Sequence, residues 1–193
     1  MNLRGQRTRS RRVALLGVMV ALCLAPPAVS ADGPSEFEVK AAFIQKFTSF
    51  IAWPHYTFHY DDSPFVIGIL GENPFGEALV AIVADKNFGG RPFEIRQFDS
   101  PEEVRQCQIL YIDEGRFPDL AATLGALDGD GLLTIGNHAD FTQHGGVLRF
   151  LVEEQRVRFE INVGAAERHN LKISSKLLSL ARVVGRDSQE ESS

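Results

Sequence analysis

Six residues without a polar side chain, Phe65-Val-Ile-Gly-Ile-Leu70, lie between Pro64 and Gly71. A run this short and this uniformly apolar fits a strand buried on both faces, as strands of parallel sheets are. Such a strand needs cover above and below, and the chain offers that cover in alternation. Upstream, Ser35-Glu-Phe-Glu38 forms a capping box, with Ser35 as cap and Glu38 three residues on. Val39, Phe43, Phe47, Phe50 and Ile51 then recur at helical spacing as far as Trp53-Pro54, where the residue before proline leaves the α region.

Downstream, Asn73-Pro74 opens a helix with the stripe Ala78, Leu79, Ile82 and Val83, broken by Phe88-Gly-Gly90. Arg91 to Arg96 reads as a second strand near a sheet edge. Asp99-Ser-Pro101 opens a short helix, Ile109 to Ile112 a third strand, Pro118 to Leu127 a helix and Leu132 to Ile135 a fourth strand. Val147 to Val152 and Arg156 to Val163 flank the turn Glu153-Glu-Gln155, which predicts a hairpin. Its second strand alternates, with Val157, Phe159, Ile161 and Val163 against Arg156, Arg158, Glu160 and Asn162. Ser174 and Ser175 cap a last helix with the stripe Leu177, Leu180, Ala181 and Val184. The pattern predicts an α/β fold. Its expected form is a single-domain three-layer α/β sandwich, with a mostly parallel sheet and a C-terminal antiparallel hairpin.

The two ends read differently from the body. Residues 1–31 carry five arginines and no acid, then the apolar stretch Val13 to Ala25, then Ala28-Val-Ser-Ala31. This is the layout of a cleaved secretory signal, with cleavage expected after Ser30 or Ala31. The stretch is shorter than the ~20 residues that cross a bilayer. Cys23 falls within it, and Leu22 before it is too large for a lipoprotein signal. The domain is expected over residues 32–185, and 186–193 as a disordered polar tail. The chain beyond residue 31 has 15 basic and 25 acidic residues, a net −10. A body this acidic repels phosphate and argues against nucleic acid as a partner.

Enzyme signatures are sparse. The sequence contains no P-loop, no Gly-x-Ser-x-Gly elbow, no His-Glu-x-x-His and no Cys-x-x-Cys. Gly68-Ile-Leu-Gly71 is read as a tight turn rather than a phosphate cradle. His55 and His59 are read as loop histidines, and His138, Asp140 and His144 as a loose cluster without a metal. A hydrolase using Ser174 or Ser175 lacks a base in any recognisable motif. Cys107, the one cysteine beyond residue 31, is expected as a small buried hydrophobe rather than a redox centre. The candidate site for a ligand or partner is Arg158, Glu160, Arg168 and His169, where an arginine fork could grip a zwitterion or a partner's charges. Trp53, the single tryptophan, is the candidate interface anchor. No cofactor, catalytic residue or metal is expected.

Several segments resemble the YfiR family of periplasmic proteins. They are Glu38-Val-Lys-Ala-Ala-Phe43 through Phe47 to Trp53-Pro54, Phe65 to Gly71 with Pro74-Phe-Gly76, and Leu133-Thr-Ile135. To these are added Gly145-Gly146, Arg158-Phe-Glu-Ile-Asn162, Leu171-Lys-Ile-Ser-Ser-Lys-Leu-Leu178 and Leu180-Ala-Arg182. The resemblance spans about residues 36–184. It implies a regulator and not an enzyme: a periplasmic repressor that holds an inner-membrane diguanylate cyclase inactive, lowering cyclic di-GMP and biofilm formation. It also implies a homodimer, with an outer-membrane lipoprotein as a further partner. One departure is plain. Relatives carry intramolecular disulfides, and Cys107 has no partner with which to form one. The alternative reading is a periplasmic small-molecule sensor feeding a histidine kinase or cyclase, motivated by the polar face around Arg158 and Glu160.

Overall fold

The computed structural model describes residues 33–127 and 129–185. The expected leader, with Cys23, and the tail 186–193 lie outside the described residues.

The apolar run of the sequence is β2 (Phe65–Leu70), and all six residues are buried. It occupies the interior of an eight-stranded sheet. The other strands are β3 (Asn87–Phe88), β4 (Arg91–Phe98), β5 (Ile109–Ile112), β6 (Leu133–Gly136), β7 (Leu148–Glu153), β8 (Arg156–Asn162) and β10 (Arg182–Val184). Their order is β10-β8-β7-β6-β5-β2-β4-β3. All neighbours are parallel except β7 with β8 and β3 with β4. The protein is therefore a mixed α/β fold on a mostly parallel sheet. A second sheet pairs β1 (Ile51–Ala52) antiparallel with β9 (Lys172–Ile173).

Two cores use the two faces of β2. Phe65, Ile67 and Ile69 belong to the larger one, with Ala41, Ile44 and Phe47 of α1 (Glu36–Phe47) and Leu79 and Val83 of α2 (Glu77–Val83). Leu70 belongs to the smaller one, with Leu110, Ile112, Phe141 and Leu120 of α3 (Leu120–Ala126). Gly68 also faces the smaller core. A Cβ there would lie 2.7 Å from Cys107 Sγ and 2.8 Å from the Phe98 ring, so glycine makes room for the cysteine.

α1 begins as its capping box dictates. Ser35 Oγ accepts from Glu38 N, and Glu38 Oε2 accepts from Ser35 N. One buried polar chain fixes it to the sheet. Lys40, almost fully enclosed, pairs with Glu36 at 2.5 Å and donates to Asn137 Oδ1 at 2.9 Å. Asn137 Nδ2 in turn donates to the Tyr111 hydroxyl at 2.6 Å. Burial pushes the Tyr111 phenol well above its ordinary range, so it stays neutral.

Four sequence expectations are corrected. The first helix stops at Phe47, not Trp53, because Ile51-Ala52 leave it to pair with Ile173 and Lys172. Asn73-Pro74 does not open α2: Asn73 Oδ1 instead accepts from Phe75 N at 2.9 Å, a local turn that delays the helix to Glu77. The turn between β7 and β8 has two residues, not three, since Glu153 pairs with Arg156. Glu154 and Gln155 both take positive φ, 48° and 60°, as the twist of a two-residue hairpin demands. Lastly, the helix after Ser174 is one turn, α5 (Ser175–Leu178), and Val184 belongs to β10 beside β8.

Phe47 stacks among Phe43, Phe150 and Phe159, with centroids 6.0, 6.0 and 5.2 Å away. Phe47→Ala is expected to cost about 3–5 kcal/mol in urea unfolding, since the void lies where helix and sheet meet.

Candidate functional site

The hairpin strands β7 and β8 set the geometry of the predicted polar face. Arg149 and Glu160 stand opposite one another in register, and both are largely enclosed, 15% and 8% exposed. The Glu160 carboxylate accepts from Thr142 Oγ1 at 2.5 Å and from an Arg149 guanidinium nitrogen at 3.3 Å. Arg149 also donates to the Ala139 carbonyl at 2.8 Å. Asn162 Nδ2 donates to the Thr142 carbonyl at 2.8 Å, while its Oδ1 accepts from Ala165 N and so caps α4 (Val163–Arg168). These bonds hold the segment 137–146 over the sheet. Phe141 plugs that segment: its ring fills the space a Cβ on Gly146 would need. The Arg149 Nε is enclosed without a hydrogen-bond partner.

The five predicted site residues fall in five separate settings. Glu160 is taken up by its own chain. Arg158, two residues away, is exposed and borders a shallow depression with Leu151, Glu153, Phe159, Leu180, Ala181 and Arg182. Arg168, at the end of α4, lies beside Gly145 and Gly164. His169 turns the other way and donates from Nδ1 to the Gly129 carbonyl at 2.9 Å; its own carbonyl accepts from Gly131 N. Among the described residues, no side-chain hydrogen bond or ion pair joins any two of the five.

Trp53 follows β1, outside the eight-stranded sheet, and β1 pairs with β9, which begins three residues after His169. It donates from Nε1 to the Gln108 carbonyl at 3.2 Å, and its ring meets Phe65 and Phe88 edge-on. The tryptophan is half-buried in an aromatic cluster with Phe58 and Phe93. Sequence reasoning missed Arg149 and Thr142. Arg149 occupies an alternate position of β7, opposite Glu160, and that alternation was the available signal.

The other candidates resolve into local roles. Ser174 Oγ accepts from Leu177 N as a helix cap. His138 Nδ1 accepts from Asp140 N within a turn. His55 starts a single 3-10 turn, His55–Thr57. Cys107 Sγ lies 2.8 Å from the Ile109 carbonyl, and burial pushes its thiol from 9.0 up to about 12. A protonated thiol is a weak nucleophile and a weak metal ligand.

Comparison with known proteins places this arrangement. A model of the family described as YfiR/HmsC-like matches residues 37–182. No curated protein matches the chain. Among solved structures, a conserved domain protein from Vibrio cholerae O1 biovar El Tor strain N16961 is similar at 14% identity and a TM-score of 0.51. The match covers 77% of this chain and spans 60% of that protein's length, and at this identity it speaks for the fold alone.

Two measurements check the site. Glu160→Ala strands the Arg149 guanidinium and is expected to cost about 3 kcal/mol in urea unfolding, whereas replacing both residues by Met and Leu recovers much of the loss. Cys107 is expected to resist iodoacetamide at about pH 8 in the folded chain and to react once unfolded. Its contribution to stability is full below pH 9 and is lost as pH rises toward about 12, because the unfolded thiol ionises first.

Proposed function

The chain belongs to the YfiR/HmsC-like family, and from that we propose that it is a periplasmic regulator of cyclic di-GMP signalling. In this reading residues 1–31 direct export and are cleaved near Ser30 or Ala31, and residues 32–185 form the working domain. The sheet and its two flanking cores make the three layers of that domain. The domain binds the periplasmic part of an inner-membrane diguanylate cyclase and holds it inactive. An outer-membrane lipoprotein and a second copy of the chain are further partners. The observation that carries the proposal is the family match across nearly the whole described body.

The residues support binding rather than chemistry. Glu160 and Arg149 spend their charges on each other, and Cys107 holds its proton. No described helix is long and apolar enough to cross a membrane. In this reading the signal reaches the cytoplasm through the receptor. Repression needs only that the regulator prefer the inactive receptor. About 5.5 kcal/mol of differential affinity moves a two-state equilibrium from 1:99 to 99:1, within reach of a standard-sized protein interface.

Cellular cyclic di-GMP is expected to rise when the gene is deleted. It should fall again when the full chain is restored, and stay high when only a form lacking residues 1–31 is restored. No rise on deletion overturns the repressor reading and favours the small-molecule sensor.

A further inference from the structure

Charge is unevenly distributed along the fold. Residues 33–147 carry seven basic and seventeen acidic side chains, a net −10, whereas residues 148–185 carry seven basic and four acidic, a net +3. The basic part is also where the sheet ends. β10 is last in the strand order and pairs with β8 alone. Its outer side presents backbone N–H and C=O groups with no strand beside them among the described residues. Open edges of this kind are templates for another strand, blunted in proteins by short length, charge, proline or bulges, and of these devices β10 keeps its three-residue length and one arginine. β10 reads Arg-Val-Val, and its one charge, Arg182, is tied to Glu153 at 2.6 Å.

Beside this edge lies the depression of about 260 Å³ between the hairpin and residues 180–182. Leu151, Leu180 and Ala181 supply its apolar lining, and Arg158 stands at its rim. Leu180 and Val152 are among the most exposed aliphatic side chains described, at 66% and 50%. Arg158 has no hydrogen-bond or ion-pair partner among the described residues. An open strand edge, an apolar depression and an uncommitted guanidinium therefore share one end of the sheet.

We propose that the β10 edge receives an extended acidic segment of a partner protein. The segment adds a strand to the sheet, sets apolar side chains over Leu151 and Leu180, and places a carboxylate on Arg158. Main-chain bonds along an edge give such a segment affinity, and alternate side chains give it register. The local net +3 selects acidic residues between the apolar ones, against a body that repels them elsewhere. The chain's own continuation, Arg186-Asp-Ser-Gln-Glu-Glu-Ser-Ser193, has no apolar side chain to fill the depression. A lipid surface would use the charge and leave the strand edge unused. The surface calls for this chemistry whether or not the partner is a cyclase.

The test is an amide chemical-shift titration of the ¹⁵N-labelled full chain as recovered from cells. One probe is the capped heptapeptide Glu-Val-Glu-Val-Glu-Val-Glu, and the other is its Lys-Val counterpart, each taken to millimolar concentration. Shifts are expected at residues 151–153, 158–159 and 180–184 with the Glu-Val peptide only. Arg158→Glu, an exposed substitution that leaves the fold intact by its melting curve, should weaken binding about tenfold or more, the equivalent of one charge-assisted hydrogen bond. No shift at these residues, or equal shifts with the Lys-Val peptide, overturns the proposal. Shifts at β10 that grow with the chain's own concentration, without peptide, also overturn it by making a second copy the occupant.

Discussion

Because β2 is dry on both faces and paired along both edges, everything else must be arranged around it. Its six residues have few local contacts to hold them extended. They are held by β4 on one side, β5 on the other, and a core against each face. The chain lays β4 to one side of β2 and then crosses back to place β5, β6 and β7 on the other. The helices follow from the same demand, since an apolar strand left uncovered would expose about 25 cal/mol for each Å² of apolar surface. Even the cysteine is placed by this strand, in the space that Gly68 leaves.

What could be read from the sequence is what short-range pattern controls. The apolar runs found β2 and β5, the capping box found the start of α1, and alternation found the face of β8 that carries Arg158 and Glu160. What could not be read depends on partners far away in the chain. Apolar spacing continues helically past Phe47, yet Ile51 leaves the helix because Ile173 is there to pair with it. The spacing Leu177, Leu180, Ala181, Val184 fits a helix equally well, and only the free edge of β8 turns its end into a strand. Alternation assigned Glu160 to a polar face and could not reveal that segment 137–146 would close over it. Trp53 and the arginine-rich strand are both conspicuous in the sequence, but Trp53 packs on Phe65 and Phe88, not on the hairpin.

The residues that carry the family resemblance are mostly spent on making the fold. Leu171 and Leu177 lie in the larger core, Ser174 caps α5, and Glu160 anchors the loop over the hairpin. A signature of this kind identifies the architecture and says little about the face that meets a partner. The charge distribution supplies the missing contrast, because it separates an acidic body from a basic end without reference to any motif. Buried pairs such as Arg149 with Glu160 add rigidity to that end rather than much net stability.

The pairing of β1 with β9 has a kinetic side. It joins the segment just after the first helix to one close to the end of the domain. Phe47 of that first helix also rests on Phe150 and Phe159, from the last third of the chain. Closing so long a loop costs entropy before any contact repays it, and folds dominated by such contacts form slowly. The N-terminal helix can meet β2 and α2 early, through Ala41, Ile44, Leu79 and Val83, but its Phe47 cluster and the β1–β9 pair wait for the last third of the domain. Synthesis and folding therefore run in step only in part: the first helix, β2 and α2 can associate as they emerge, and the seam that joins them to the last strands closes at the end.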